Sequence, residues 1–248
     1  MLKWIKADLH VHTVLSACAE LDMSPRDIIA QAAALDIGLL AITDHHAIDN
    51  VIGCQKAAIG TGITVLYGME VQTREEVHLV CLLPDANRAK TFSSFIDSHL
   101  PAGRLETDSG SVQAIVTADD KVVRLDQRKL LASLDLSVED VCRIVQEHDG
   151  LVIAAHIDRA HFSLLGNLGF IPPGLQVAAL ETATEPTLLF TKHPSTVGYP
   201  IIASSDAHCL EMLDKEKYTY FYINEEVTLS EIRRALRGES GRKIRIDR

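Results

Sequence analysis

A chain of 248 residues with 47% hydrophobic content can bury a sizeable core, as one large α/β domain or two small ones, which excludes wholesale disorder. The formal charge of −10 argues against non-specific binding to nucleic acid or anionic membranes, since both reward basic surfaces. Five scattered cysteines without a CxxC pair argue against a disulfide framework. The start, Met1 to Lys6, lacks the apolar run of a signal peptide, and no stretch reaches the roughly 20 apolar residues of a membrane span. These features predict a cytoplasmic protein with reduced thiols.

In chain order, Ala7-Asp8-Leu9-His10-Val11-His12 is an apolar run carrying two imidazoles. Residues two apart on a strand point to one side, so His10 and His12 are expected to share a face. Ser24-Pro25-Arg26-Asp27 is a helix start, with Ser24 as cap and Pro25 at the first helical position. Gly38 to Ile42 reads as a buried strand ending at Thr43-Asp44-His45-His46. A helix over roughly Ile48 to Ile59 closes at Gly60-Thr61-Gly62. Ile63 to Met69 is the next strand, with Glu70 at its end, and Thr73 to Glu76 is a polar turn. Val77 to Leu83 follows, with His78 at its head. If these two strands pair antiparallel, Glu70 and His78 meet at one end.

Helices are predicted near Asn87 to Ser98 and Ser137 to Glu147, the second stopped by Gly150. Between them, Pro101 to Arg128 breaks the βα rhythm. It reads as an insertion with a hairpin, Val112 to Thr117 and Lys121 to Leu125, serving as a lid, an oligomer contact or a plain surface excursion. Leu151 to Ala155 ends at His156, and Pro200 to Ala203 ends at Ser204-Ser205-Asp206-Ala207-His208. Thr228-Leu229-Ser230-Glu231 is a capping-box pattern for a last helix ending at Gly238. The tail from Arg242 is basic. Alternating short apolar runs and helical patterns predict βα units around a mostly parallel sheet. Imidazoles and carboxylates at separate strand ends are how such a fold converges ligands on divalent metals, and barrel enzymes place their chemistry there.

The set Asp8-Leu9-His10-Val11-His12-Thr13, Thr43-Asp44-His45, Glu70, His156 and Ser205-Asp206-Ala207-His208 resembles the four-motif pattern of the PHP family, which includes polymerase-associated domains and histidinol phosphatases. The resemblance runs from Asp8 to His208. It implies a distorted β/α barrel of seven strands, here one catalytic domain over residues 1–248, with its site at the C-terminal strand ends. It also implies a trinuclear metal centre, expected here to hold two to three divalent ions (zinc, manganese or iron), and phosphoester hydrolysis by a metal-activated hydroxide. By position, one metal takes His10, His12, Glu70 and Asp206; a second shares Glu70 and adds His78 and His156; a third takes His45 and His208. Where some members complete the third site with His or Asp, this chain has Ser16 to Glu20; Cys18 is the best candidate by spacing, with Glu20 behind it. A thiolate there would favour zinc over manganese.

Asp8 and Asp44 are expected to orient ligating imidazoles rather than ligate. His46, adjacent to His45, is expected in the pocket wall. Arg159, three residues past His156, is a candidate phosphate clamp; a salt bridge with Asp158 or another neighbour is the structural role open to it. His99, His148, His161 and His193 are expected at the surface. The expected substrate is a small phosphorylated metabolite or nucleotide, with no membrane partner. The charge and the 5% aromatic content weigh against an exonuclease-like activity on polynucleotide ends. The same residues also admit a metal-dependent C–N hydrolase or a non-enzymatic metal-binding regulatory module.

Overall fold

The computed structural model describes residues 1–105, 112–182 and 184–247. Nine strands form one sheet in the order β11-β10-β1-β2-β3-β4-β7-β8-β9. They are β1 (Leu2–Val11), β2 (Leu39–Ile42), β3 (Thr64–Gln72), β4 (His78–Leu83), β7 (Leu151–Ala154), β8 (Ala179–Glu181), β9 (Ile201–Ile202), β10 (Tyr218–Asn224) and β11 (Lys243–Asp247). Strands β1, β2 and β3 are mutually parallel, as are β7, β8 and β9. Strand β4 runs antiparallel to both its neighbours, which meets the condition for Glu70 and His78 to come together at one end. The chain beyond β9 then reaches β1: Ala207 bridges Val11 in parallel, and His12 N donates to Ala207 O at 3.0 Å. Seven strands thus close into a distorted barrel, and β10 pairs antiparallel with the first half of β1 beside the seam.

The apolar alternation of the strands sorts side chains between the lumen and the outer layer. Ala41, Leu66, Val80, Leu82, Ile153, Ala179 and Ile202 fill the lumen together with Ile5, Ala7 and Leu9. A register shift between Asp8 and Val11 inserts one extra residue in β1 opposite β2. Such a bulge switches which parity faces inward. Odd-numbered residues of β1 face the lumen before it, and even-numbered His10 and His12 face Glu70 after it.

Helices cover the outside. Helix α1 (Pro25–Ala34) starts where Ser24 accepts a hydrogen bond from Asp27 N, and α2 (Val51–Ala57) packs beside it. Helices α3 (Ala86–Asp97) and α4 (Val138–Glu147) bury Phe92, Ile96, Val141 and Val145 against β3, β4 and β7. Helix α5 (Pro186–Lys192) follows β8. Helix α6 (Leu229–Leu236) sends Leu229, Ile232 and Leu236 into the lumen cluster, while Arg233 caps the carbonyls of Asp149 and Gly150 before β7. It therefore plugs the N-terminal end of the barrel. Only half of its predicted capping box forms. Thr228 accepts from Glu231 N, but Glu231 turns to Arg242 and Asn224 N.

The excursion contains a separate hairpin, β5 (Ala114–Val116) with β6 (Val122–Leu125); residues 106–111 of it lie outside the described residues. Its inner strand is wired to the barrel through Asn50, whose amide donates to Ala114 O and Thr13 Oγ1 and accepts from Val116 N. Strand β6 is exposed along its length.

Candidate metal centre

At the C-terminal strand ends the polar residues of the sequence motifs converge around Glu70, which is 1% exposed. Its Oε1 lies 3.1 Å from His10 Nε2, 2.9 Å from His78 Nδ1 and 3.4 Å from His156 Nε2. Its Oε2 lies 3.3 Å from His12 Nε2 and 3.1 Å from His45 Nδ1. Asp206 Oδ1 sits 3.2 Å from both His10 Nε2 and His12 Nε2. Glu70 reaches this position because β3 hydrogen-bonds the carbonyls of Thr43 and Asp44 through Glu70 N, carrying the β2–β3 pairing one step past Ile42. Two residues earlier, Gly68 admits close packing of the strands: a Cβ there would stand 2.6 Å from Ile42 O.

The far nitrogen of four imidazoles is held by an acceptor, and this fixes each tautomer. A carboxylate can only accept, so His10 Nδ1 donates to Glu181, whose two oxygens lie at 3.1 and 3.2 Å. Ser16 Oγ gives its one proton to Asp44 at 2.7 Å and so accepts from His12 Nδ1 at 2.9 Å. Gln72 Nε2 donates to Ser133, so Gln72 Oε1 accepts from His78 Nε2 at 3.1 Å. His208 Nδ1 donates to Asp206 O at 2.8 Å. With these protons placed outward, the inward nitrogens of His10, His12 and His78 present lone pairs to carboxylate oxygens. Lone pair facing lone pair at about 3 Å is repulsive unless a cation lies between them. Buried Glu70 Oε1, Asp206 Oδ1 and His45 Nδ1 also lack a hydrogen-bond partner. The donor set therefore fits divalent metal ions of the borderline nitrogen- and oxygen-preferring kind.

Three groups of ligand atoms lie mutually within 4.8 Å: His10, His12, Glu70 and Asp206; His45, Glu70 and His78; and His12, His45 and His208. His156 borders the second group through its 3.4 Å approach to Glu70. His45 thus stands beside Glu70 as well as beside His208. Cys18 belongs to none of the three groups and is exposed. Its thiol is pushed up to about 12, by desolvation first and then by the Glu70 charge.

Without metal, protons must take the cations' place. Burial alone would lower His10 and His12, but the surrounding carboxylates raise both, His12 to about 9. Burial opposes ionisation of Glu70 and Asp206 too, and the imidazoles nonetheless hold both well below the usual carboxylate range. His45 is driven well down by burial.

Asp44 is linked to His12 through Ser16, which donates to Asp44 Oδ1 and accepts from His12 Nδ1. Asp8 Oδ1 accepts from Ser205 N at 3.0 Å, and its Oδ2 lies 3.2 Å from Lys215 Nζ. Arg159 pairs with Asp206 Oδ2 at 2.6 Å, not with Asp158, which is engaged by Thr182 and Thr184. The sequence places His46 in the pocket wall. It is buried instead, accepting from Gln72 N and donating to Leu130 O, and so ties β3 to the segment after the hairpin. Glu181, Ser16 and Gln72 are not marked by the sequence motifs. Glu181 carries a usable signal all the same, since it ends the apolar run Val177 to Leu180 as Glu70 and His156 end theirs.

Among the described residues no helix is long and apolar enough to cross a membrane. The chain is 26% identical to the uncharacterized protein YqxK of Bacillus subtilis (strain 168) across 98% of this chain and 64% of that protein. A stretch covering 34% of this chain and 31% of its relative is 32% identical to a 5'-3' exoribonuclease of Haemophilus influenzae. The crystal structure of the lesion-specific endonuclease PfuEndoQ from Pyrococcus furiosus superposes with a TM-score of 0.70 at 20% identity, covering 98% of this chain and 58% of that one. The chain thus spans less than two thirds of the length of each of these proteins. The PHP domain family matches residues 8–171, the span that carries every motif but the last, and the chain belongs to the PHP family.

Proposed function

We propose that this chain hydrolyses a phosphoester bond, with two to three divalent ions (zinc, manganese or iron) held by His10, His12, His45, Glu70, His78, His156, Asp206 and His208. The observation that carries this reading is the set of imidazoles whose protons are fixed on the outer nitrogens while the inner nitrogens crowd two carboxylates. Bound divalent ions supply Lewis acidity and lower the pKa of water from 15.7 toward about 7, which provides a nucleophile at neutral pH.

The chain's own residues do the rest. Glu181, Ser16 with Asp44, and Gln72 hold His10, His12 and His78 in ligating tautomers. Asp206 is fixed from outside by Arg159 Nη1, and the remaining N–H groups of this half-exposed guanidinium are available to a phosphoryl oxygen. The apolar lumen beneath Glu70 keeps water from entering from below. We further propose that residues 1–248 act as one catalytic unit with the 101–128 excursion inserted in it, and that the protein is cytoplasmic.

The substrate favoured by the charge and composition is a small phosphorylated metabolite or nucleotide. Polynucleotide is the second reading, favoured by the names of an exoribonuclease and a DNA-lesion endonuclease among the similar proteins. Metal-stripped protein reconstituted with Zn²⁺, Mn²⁺ or Fe²⁺ should turn over members of a panel of phosphomonoesters, phosphodiesters and 5′-phosphorylated oligonucleotides. No turnover of any member by protein carrying its full metal complement would remove the reading.

A further inference from the structure

We propose that Phe162 is a stacking platform for a nucleobase, and that it makes the centre selective for a nucleoside phosphate, free or at a chain end. The inference rests on the phosphoester reading for the position of the phosphate. The loop after β7 places a partly exposed apolar ring beside the site. Phe162 is 43% exposed, yet its ring stacks on that of His78, with centroids 4.8 Å apart and planes 25° from parallel. His78 Nδ1 in turn lies 2.9 Å from Glu70. One face of Phe162 therefore covers a candidate ligand, while the residue retains exposed surface.

The backbone holds this ring firmly. Phe162 has φ +58°, a left-handed conformation that bulky residues rarely adopt. Strain of this kind persists where the surroundings over-determine it, and it points to a role in function. The surroundings here do so. Phe162 O accepts from His78 N at 3.0 Å, and Ser163 Oγ donates to Arg159 O at 2.6 Å while accepting from Gly166 N at 2.9 Å. Gly166 lies so close that a Cβ would stand 2.5 Å from the carbonyls of Arg159 and Ala160.

The same short loop carries Arg159, whose guanidinium sits on Asp206. It thus offers a cation at the metal end and a π face outside His78. The His78 ring links the two ends: its centroid is 4.8 Å from that of Phe162 and its Nδ1 is 2.9 Å from Glu70 Oε1. Every base has a π face, so stacking selects for nucleotides without reading sequence. A single platform in a protein of charge −10 suits recognition of one terminal nucleotide rather than a long tract.

The test compares hydrolysis-resistant 5′-phosphonates of adenosine and of the base-free sugar, titrated calorimetrically into metal-loaded protein. The base-bearing probe should bind about tenfold more tightly, near the lower part of the range for a base stacked on an aromatic side chain. Phe162→Ala and Phe162→Leu should bring the ratio close to one, and Phe162→Trp should keep it. A short oligonucleotide bearing the same 5′-phosphonate separates the two sources: equal affinity to the nucleoside probe indicates a free nucleotide, and tighter binding indicates a chain end. A ratio near one in the wild type overturns the platform, as does a ratio that survives Phe162→Ala. So does a fall that comes with metal loss in both the Ala and Leu variants, which would leave Phe162 only packing His78. A retained ratio without turnover of any phosphoester would remove the hydrolase reading and leave the platform standing.

Discussion

Replacing Glu181 by glutamine isolates one proton at the candidate metal centre. Glu181 is 3% exposed, and both its oxygens lie within hydrogen-bond reach of His10 Nδ1. Its Oε1 also accepts from His156 N at 3.1 Å. Glutamine has the same shape. If its oxygen keeps the bond to His156 N, its NH₂ faces the His10 Nδ1 proton, donor against donor. The clash is relieved when the His10 proton moves to Nε2, which removes the lone pair directed at Glu70 and Asp206. Loss of the carboxylate partner of a metal-ligating histidine costs about 10–100-fold in metal affinity, or about 1.4–2.8 kcal/mol. An inverted tautomer places Glu181→Gln toward the upper end. Competition against a chromophoric chelator would measure the loss. It should be larger at pH 8.5 than at pH 6.5, because Glu181 also raises the proton affinity of His10. Removing that charge weakens the competing proton along with the metal. A Glu181→Gln protein that binds its full complement within about twofold of wild-type affinity at pH 8.5 would refute the argument.

Metal-stripped protein should lose stability as pH rises. His12 has its folded pKa raised to about 9, so its contribution is complete below about 6.5 and disappears as pH passes through 9, on the order of 3 kcal/mol. Urea melts of stripped protein should show this slope and those of metal-loaded protein should not; a flat profile for both contradicts it. Gly68→Ala should cost about 2–3 kcal/mol and lower metal occupancy, since its Cβ would meet Ile42 O at 2.6 Å and Thr43 Cγ2 at 2.7 Å two residues from Glu70; unchanged melting and metal content would show that the strands can part. Cys18→Ala should keep every metal equivalent by elemental analysis, because the His12, His45 and His208 atoms converge without it, and loss of one equivalent would make Cys18 a ligand. Arg159→Lys should lower kcat/KM by roughly 1.5–3 kcal/mol at constant metal stoichiometry, since an ammonium cannot serve Asp206 and a phosphoryl oxygen in parallel. Unchanged kinetics with a lower melting temperature would confine Arg159 to its ion pair.

The residues that converge are legible in the sequence because each breaks a strong pattern. An imidazole or carboxylate that ends or heads an apolar strand has no reason to be there unless it faces something polar, and His10, Glu70, His78, His156 and Asp206 all do so. The meeting of Glu70 and His78 follows from antiparallel pairing alone. The bulge in β1 is not legible, since nothing in Asp8 to Val11 marks an extra residue, yet it turns His10 and His12 toward the centre. Glu181 ends an apolar run of the same kind, but periodicity does not mark it, because Ala179–Glu181 is a strand of only three residues. Ser16 and Gln72 are invisible because a hydroxyl or amide acquires its role only from what folding places beside it. Strand β10 is obscure for a related reason. Tyr218, Tyr220 and Tyr222 alternate along Tyr218–Asn224, but only pairing with both β1 and β11 makes it an interior strand.

The barrel's seam has a consequence for the order of assembly. The bond from His12 N to Ala207 O closes the ring at its narrowest link and seats Asp206 against His10 and His12 in the same act. Nearly the whole chain lies between these partners, so the loop entropy of bringing them together is met only after the intervening units have condensed. The binding pocket is therefore a late product of folding. A nascent chain released as far as β8 already carries His10, His12, Glu70, His78 and His156 but has no wall on the Asp206 side, so capture of a full metal complement should wait for the last strands to emerge.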